Sequence, residues 1–360
     1  MAWLGAVATK CHPVYNSLGL QQGAARGPVS RRVLHSGSVI LETAIPDQFR
    51  QPLDLVDYER HADVRRSFHM VMGPNGRLWV AVEQGQTLSV LSLDLSAWRK
   101  ETPIRITYSW CCEAHNAWVG AENLETGAIT SKASAERPVP LHEDDLARIL
   151  FAIDGPSLTS DVTCFAFSDH VEPLGYSEGI AANALVDTEH GPRPIETLTP
   201  GTLISTHSGG LSPLVALIET TLPNIGRMGL VRLRRPFQNL LQTLDVTPSC
   251  EILTEGVDTA YLFGVEDVSI KAMHIAPFLP VTTSSAGLVS KRYNLLLAEF
   301  QAYHVAGIRV MPLALNHDPH QSASTRLSHL NAIQIPKRCG HDPASLLRHE
   351  ALALLSDRYL

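Results

Sequence analysis

The chain has 360 residues, 44% of them hydrophobic and 18% charged: enough apolar material for about two domain cores, and too much for a chain disordered by composition. The formal charge of −7 and a pI near 6.1 argue against nonspecific nucleic-acid binding. No run nears the roughly 18 apolar residues a membrane span needs. The apolar opening at 2–8 is short and has no basic residue before it, so it makes a poor secretory signal and leaves cytoplasmic residence or leaderless export as the expectation.

Residues 1–34 are rich in Gly and Ala, show no clear period, and read as a loosely ordered tail. From 35 to 155 the pattern is that of a β-sandwich. Phe68, Met70 and Met72 alternate with polar neighbours, Gly73-Pro74-Asn75-Gly76 is a turn signal, and Leu78, Val80 and Val82 alternate again. Ile104, Ile106, Tyr108 and Trp110 follow with the same period, and a short amphipathic helix is expected near 142–151 on Leu146, Ile149 and Leu150. Asp154-Gly155-Pro156 marks the expected domain boundary. Strands separated by Gly and Pro return over 156–315, and 316–360 reads as a polar linker followed by a helix near 343–356, capped by Asp342 and opened by Pro343.

The six cysteines, Cys11, Cys111, Cys112, Cys164, Cys250 and Cys339, include no Cys-x-x-Cys pair and no zinc-like or disulfide-like spacing. Adjacent strand residues face opposite ways, so Cys111 and Cys112 read as small core residues. His317, Asp318 and His320 have a metal-like spacing but sit in the polar linker around Pro319; a solvated loop is the simpler reading, as it is for His341 and His349. Arg232, Arg234 and Arg235 form the one notable basic cluster, expected on a solvated strand face. Trp79, Trp98, Trp110 and Trp118 have the flat faces that stack on sugars, although aromatic side chains in sandwiches more often fill the core. There is no His-Glu-x-x-His and no phosphate loop.

The second half carries a resemblance. Pro194-Ile195-Glu196-Thr197-Leu198, Pro200-Gly201 and Pro213-Leu214-Val215 occur in the order and spacing of the opening of a Hint (hedgehog/intein) domain. Residues 231–275, with Tyr261-Leu262-Phe263-Gly264 as the most distinctive segment, are similar to a bacterial branch of that family, and Leu347-Arg348-His349-Glu350-Ala351 resembles its closing segment. The resemblance covers about 155–320 and the last helix. It implies an all-β Hint domain at 156–315. The first half looks like a laminin-G or concanavalin-type jelly roll. The expected fold is therefore mainly β: an N-terminal antiparallel sandwich, a Hint domain, and a short C-terminal helix.

The family's chemistry, as the resemblance implies it, is an acyl shift. A first Cys or Ser attacks the carbonyl before it, a Thr-x-x-His block polarises the bond and protonates the leaving nitrogen, and a later His or Asp supports the second step. Counting back from Gly191, the nucleophile position falls on Gly179, which has no side chain, and Ser177 lies two residues and roughly 6–7 Å away along a strand. The His block reads Thr247-Pro248-Ser249-Cys250, keeping the Thr and replacing the His by Cys. Phe300 stands near the later His position, with His304 four residues on. Three departures together imply a protein deficient in self-processing that acts as a binding or structural module, with a glycan or protein ligand for the sandwich and no cofactor. The alternative is a self-cleaving protein using Ser177 or Cys250. On the deficient reading, replacing Gly179 by Cys and Cys250 by His is expected to restore the two central roles and make some thiol-dependent cleavage before residue 179 possible.

Overall fold

The computed structural model describes residues 2–9, 11–24, 29–46, 51–61, 63–134, 136–275, 287–314, 325–327 and 343–359. His317, Asp318, His320, Cys339, His341 and Asp342 lie outside them. The chain divides into two units: Met1–Gly175 with Gly287–Val289 and Asn316–Arg326, and Tyr176–Ala286 with Ser290–Leu315 and Leu327–Leu360.

The first unit contains β1 (Trp3–Ala8), β2 (Val14–Tyr15), β3 (Val33–Leu34), β4 (Ser36–Ala44), β5 (Leu53–His61), β6 (Arg65–Met72), β7 (Arg77–Gln84), β8 (Thr87–Asp94), β9 (Pro103–Cys111), β10 (Asn116–Asn123), β11 (Ile129–Ser134), β12 (Leu141–His142), α1 (Glu143–Phe151) and β13 (Cys164–Ser168). Seven strands form one sheet in the order β11-β10-β9-β4-β13-β1-β2, and four form a meander β5-β6-β7-β8. The alternation seen in sequence explains the packing. Phe68, Met70, Leu78 and Val80 project from the meander into the same buried core as Val39, Leu41, Ile106, Tyr108, Trp110, Val119 and Phe167 of the larger sheet. Helix α1 follows the predicted span, its first turn carrying Glu143, Asp144 and Asp145, where acidic charge complements the helix N-terminus. Tyr58 donates to Asp145 (2.7 Å) and Tyr15 to Glu143 (2.6 Å), tying that turn to the unit.

Two sequence expectations need correction. The residues expected as a loose tail include β1, which pairs with both β13 and β2 and buries Trp3 and Leu4 completely. A strand buried on both faces reads as a continuous apolar run without alternation, which is why residues 3–8 gave no period. The boundary expected near 155 lies too early, because β13 is an inner strand of the first unit's sheet.

The second unit holds β14 (Ile180–Ala181), β15 (Leu185–Thr188), β16 (Gly191–Pro194), β17 (Leu203–Ser205), β18 (Leu211–Pro223), β19 (Val231–Leu233), β20 (Leu244–Val246), β21 (Glu251–Glu255), α2 (Val257–Phe263), β22 (Asp267–Lys271), α3 (Ala272–Ile275), β23 (Val289–Leu297), β24 (Tyr303–Val305), β25 (Ile308–Val310), β26 (Ala344–Ser345) and α4 (Arg348–Tyr359). Its strands hydrogen-bond in one continuous order, β19-β20-β14-β23-β18-β17-β15-β24-β25-β21-β22-β26, with β16 on β15. Most are three to five residues long, and their inward residues, among them Val186, Ile204, Leu244, Ile252, Ile270 and Leu295, form one core.

Helices α2 and α3 were not expected. Tyr261-Leu262-Phe263 closes α2, and Gly264 takes the left-handed cap at φ +70°. The last helix starts later than Pro343, because Ala344 and Ser345 pair in parallel with Val268 and Ser269 before the chain turns helical. Leu346, Leu354 and Leu355 are buried there, whereas Leu347 is exposed.

Candidate functional site

Pairing of β14 with β20 and β23 sets Ile180 opposite both Val246 and Tyr293. That register brings the residues flanking those strands, Gly179 and Thr247, side by side although 68 positions separate them. The Gly179 amide donates to Thr247 Oγ1 (3.0 Å), and the Thr247 amide donates to the Gly179 carbonyl (2.9 Å). Thr247 is buried, so both polar groups of Gly179 are satisfied inside the protein by one residue. Residues 247–250 then turn tightly, with the Cys250 amide donating to the Thr247 carbonyl (3.1 Å).

Cys250 lies in the main core of this unit. Burial pushes its thiol well above the usual cysteine range, and the carboxylates of Glu178 and Glu251 push it further the same way. It is a protonated, weakly nucleophilic group at neutral pH. The phenol of Tyr303 is also held far above its usual range, by burial first and then by Cys250.

Gly179 has φ +151°, a backbone conformation that side-chain-bearing residues rarely adopt. A Cβ built there would sit 2.5 Å from the Tyr293 carbonyl oxygen and 2.8 Å from its carbon. Both are backbone atoms that no rotamer change can move away. Tyr293 was not singled out in the sequence; its contribution is a main-chain carbonyl, which no residue motif encodes.

Gly179, Thr247 and Cys250 are thus grouped. Phe300 and His304 stand apart from them. Phe300 packs against a small separate cluster of Leu253, Ala302 and Met311. His304 follows Tyr303 on β24, so strand alternation points its ring to the opposite face. There it is paired in register with Arg309, and its pKa is lowered by burial first, then by Arg309 and His207, against the opposite pull of Asp187 and Glu255. Arg309 in turn pairs with Glu255 (2.6 Å), and His207 lies 3.8 Å from the same carboxylate. A cleft of about 260 Å³ opens beside this pair, lined by Gln238, Asn239, Leu253, Glu255, Gly307, Ile308 and Arg309. The basic cluster is partly consumed internally: Arg232 makes a bidentate pair with Asp245 (2.7 Å twice), and Arg235 donates to the Leu240 and Leu241 carbonyls. Among the described residues no three His, Cys, Asp or Glu side chains gather as metal ligands, and no helix is long and apolar enough to cross a membrane.

In the first unit Trp110 and Trp118 are buried, and Trp110 Nε1 donates to the Leu34 carbonyl (2.8 Å). Trp79 and Trp98 are half-buried. Trp79 lies between Val71 and Ser92 on the face of the meander opposite the core-facing Val80.

A family model for the Hint domain matches residues 179–310, beginning on Gly179 itself. No curated protein matches the chain in sequence. Among solved structures, the chain is similar to a bacterial intein-like domain from Clostridium thermocellum (11% identity, 38% of this chain and 99% of that one, TM-score 0.26). It is also similar to the CBM40 of the Ruminococcus gnavus IT-sialidase bound to α2,3-sialyllactose (10% identity, 39% and 78%, TM-score 0.28). A third similarity is to the LG1-3 region of the laminin α2 chain (11% identity, 81% and 56%, TM-score 0.27). On the motifs and the family match, the chain is a Hint domain protein, with that domain at residues 179–310.

Proposed function

We propose that the Hint domain of this protein no longer cuts or rearranges the Glu178–Gly179 bond, and that the chain works as a binding or structural module. The observation that carries this reading is the closed backbone at Gly179. An acyl shift needs a nucleophile on the residue after the bond, and here that residue has no side chain, while its φ and the Tyr293 carbonyl leave no room for one. The group at the His position points the same way: Cys250, where the resemblance calls for a proton-donating His, is a buried thiol held protonated, while Thr247 keeps its contact with the amide that would leave. The alternative, self-cleavage through Ser177 or Cys250, draws nothing from the thiol's burial and raised pKa.

The purified chain, incubated with and without thiol, is expected to keep its full mass of 39.3 kDa. Appearance of two fragments meeting at Glu178 and Gly179 would sink the reading. For the sandwich, Trp98 packs against the core, and Trp79 is the half-buried ring left to stack on a flat ligand such as a sugar. If the unit binds a glycan, Trp79→Ala should weaken binding about 10-fold or more, and unchanged affinity would remove Trp79 from the site.

A further inference from the structure

The seven-stranded sheet of the first unit has a second face that is polar and nevertheless buried. Ser38, Glu42, Arg105, Thr107, Ser109 and Glu122 are all buried on it. Arg105 donates to Glu42 Oε1 from Nε (3.1 Å) and Nη2 (2.8 Å), and to Glu122 Oε2 from Nη1 (3.2 Å). Glu172 adds a third carboxylate. Its amide donates to Ser38 Oγ (2.7 Å), and its Oε2 lies 3.1 Å from His170 Nε2. The strands and the segment after β13 thus supply one guanidinium against three carboxylates, and buried charge is tolerated only when paired.

The second cation comes from far along the chain. Thr325 forms a parallel bridge with Leu174, and the side chain of Arg326, only 12% exposed, pairs with Glu172. Burial lowers the Arg326 pKa to about 10, against the opposing pull of Glu122, so it remains cationic at neutral pH. Residues 325–326 thus belong to the first unit, although they come after almost all the strands of the second.

We propose that Thr325 and Arg326 form a strap built into the first unit, so that a break in the chain between Gly175 and Gly179 leaves the N-terminal piece held by the C-terminal piece without a covalent link. The partner of the first unit is then the tail of its own chain, recognised through a guanidinium set among buried carboxylates. The proposal stands apart from the question of whether the Gly179 site can act, because the strap holds the two pieces whatever agent makes the break.

The test places a specific protease sequence between Ser177 and Glu178 of the full chain, cuts it, and follows the pieces by gel filtration and native mass spectrometry. The expected result is one species of the uncut mass that separates only in denaturant. In the cut Arg326→Ala protein the dissociation constant should rise about 100-fold or more, the usual consequence of stranding a buried charge. Because that variant also strains the folding of the first unit, Arg326→Met combined with Glu172→Gln, which removes both charges together, is the companion: it should regain most of the retention. Separation of the cut wild-type pieces at micromolar concentration would overturn the proposal, as would an unchanged dissociation constant in Arg326→Ala. A double variant as weak as the single one would overturn the role given to the ion pair.

Discussion

Tyr303 and His304 are neighbours on β24 and meet opposite surroundings. Tyr303 is buried beside Cys250, on the side where Gly179 and Thr247 close on each other. His304 is half-buried among Arg309, Asp187, Glu255 and His207, next to an open cleft. One peptide bond separates a buried region, where Gly179 and Thr247 satisfy each other, from a half-buried one lined by charged side chains beside a cleft. Strand alternation keeps the two sides from sharing a residue.

Substitutions should separate the two sides sharply. Gly179→Ala adds one methyl against the Tyr293 carbonyl at a φ that alanine avoids. It should cost about 3 kcal/mol or more, read as a loss in denaturant midpoint. A loss below about 1 kcal/mol would mean that the backbone at 179 relaxes easily, and the sealed description would fail. Thr247→Val keeps the shape and deletes the acceptor for the Gly179 amide; we expect about 1–3 kcal/mol. His304→Ala, on the open side, should stay within about 1 kcal/mol at neutral pH.

Thiol chemistry gives a further comparison. Cys11 is exposed, whereas Cys250 is buried with its pKa raised. A maleimide should label Cys11 within minutes in the native protein and reach Cys250 only on unfolding. Rapid native labelling of Cys250, located by peptide mapping, would show that the sealed region opens.

The smallest effect concerns pH. His304 has a folded pKa below the ordinary histidine value of 6.5, chiefly from burial. The unfolded chain therefore binds the proton more readily, so the stability tied to neutral His304 is present above that value and is lost as pH falls through it toward the folded pKa. The wild type should lose stability more steeply than His304→Ala as pH falls below about 6.5. Identical slopes would remove His304 from the account.

How far the sequence carries differs between the units. The core of the first unit was legible because β6 and β7 are half-buried strands and β9, though covered on both faces, alternates apolar core residues with polar ones, so the pattern in Phe68, Val80 and Ile106 survives into the structure. Strand β1 was not, because both its faces are covered and its residues carry no period. In the second unit, strands of three residues are too short for periodicity, and order came instead from the resemblance, which located Gly179, Thr247 and Cys250. The proximity of Gly179 and Thr247 follows from that alignment. The obstacle at Tyr293 does not, because it is a carbonyl placed by the β14–β23 register. Phe300 and His304 were counted toward the same region because sequence distance along a hairpin does not reveal which face a residue takes.

A double variant distinguishes a site closed by its backbone from one that lacks only side chains. Reasoning from residue types alone, Gly179→Cys with Cys250→His restores a nucleophile and a proton donor, and thiol-dependent cleavage should return. With the Tyr293 carbonyl 2.5 Å from where the new Cβ must go, we expect the opposite. The intact mass of the folded double variant should be unchanged after prolonged incubation with thiol. Thiol-dependent cleavage just before residue 179 would contradict it and show that only the side chains had been lost.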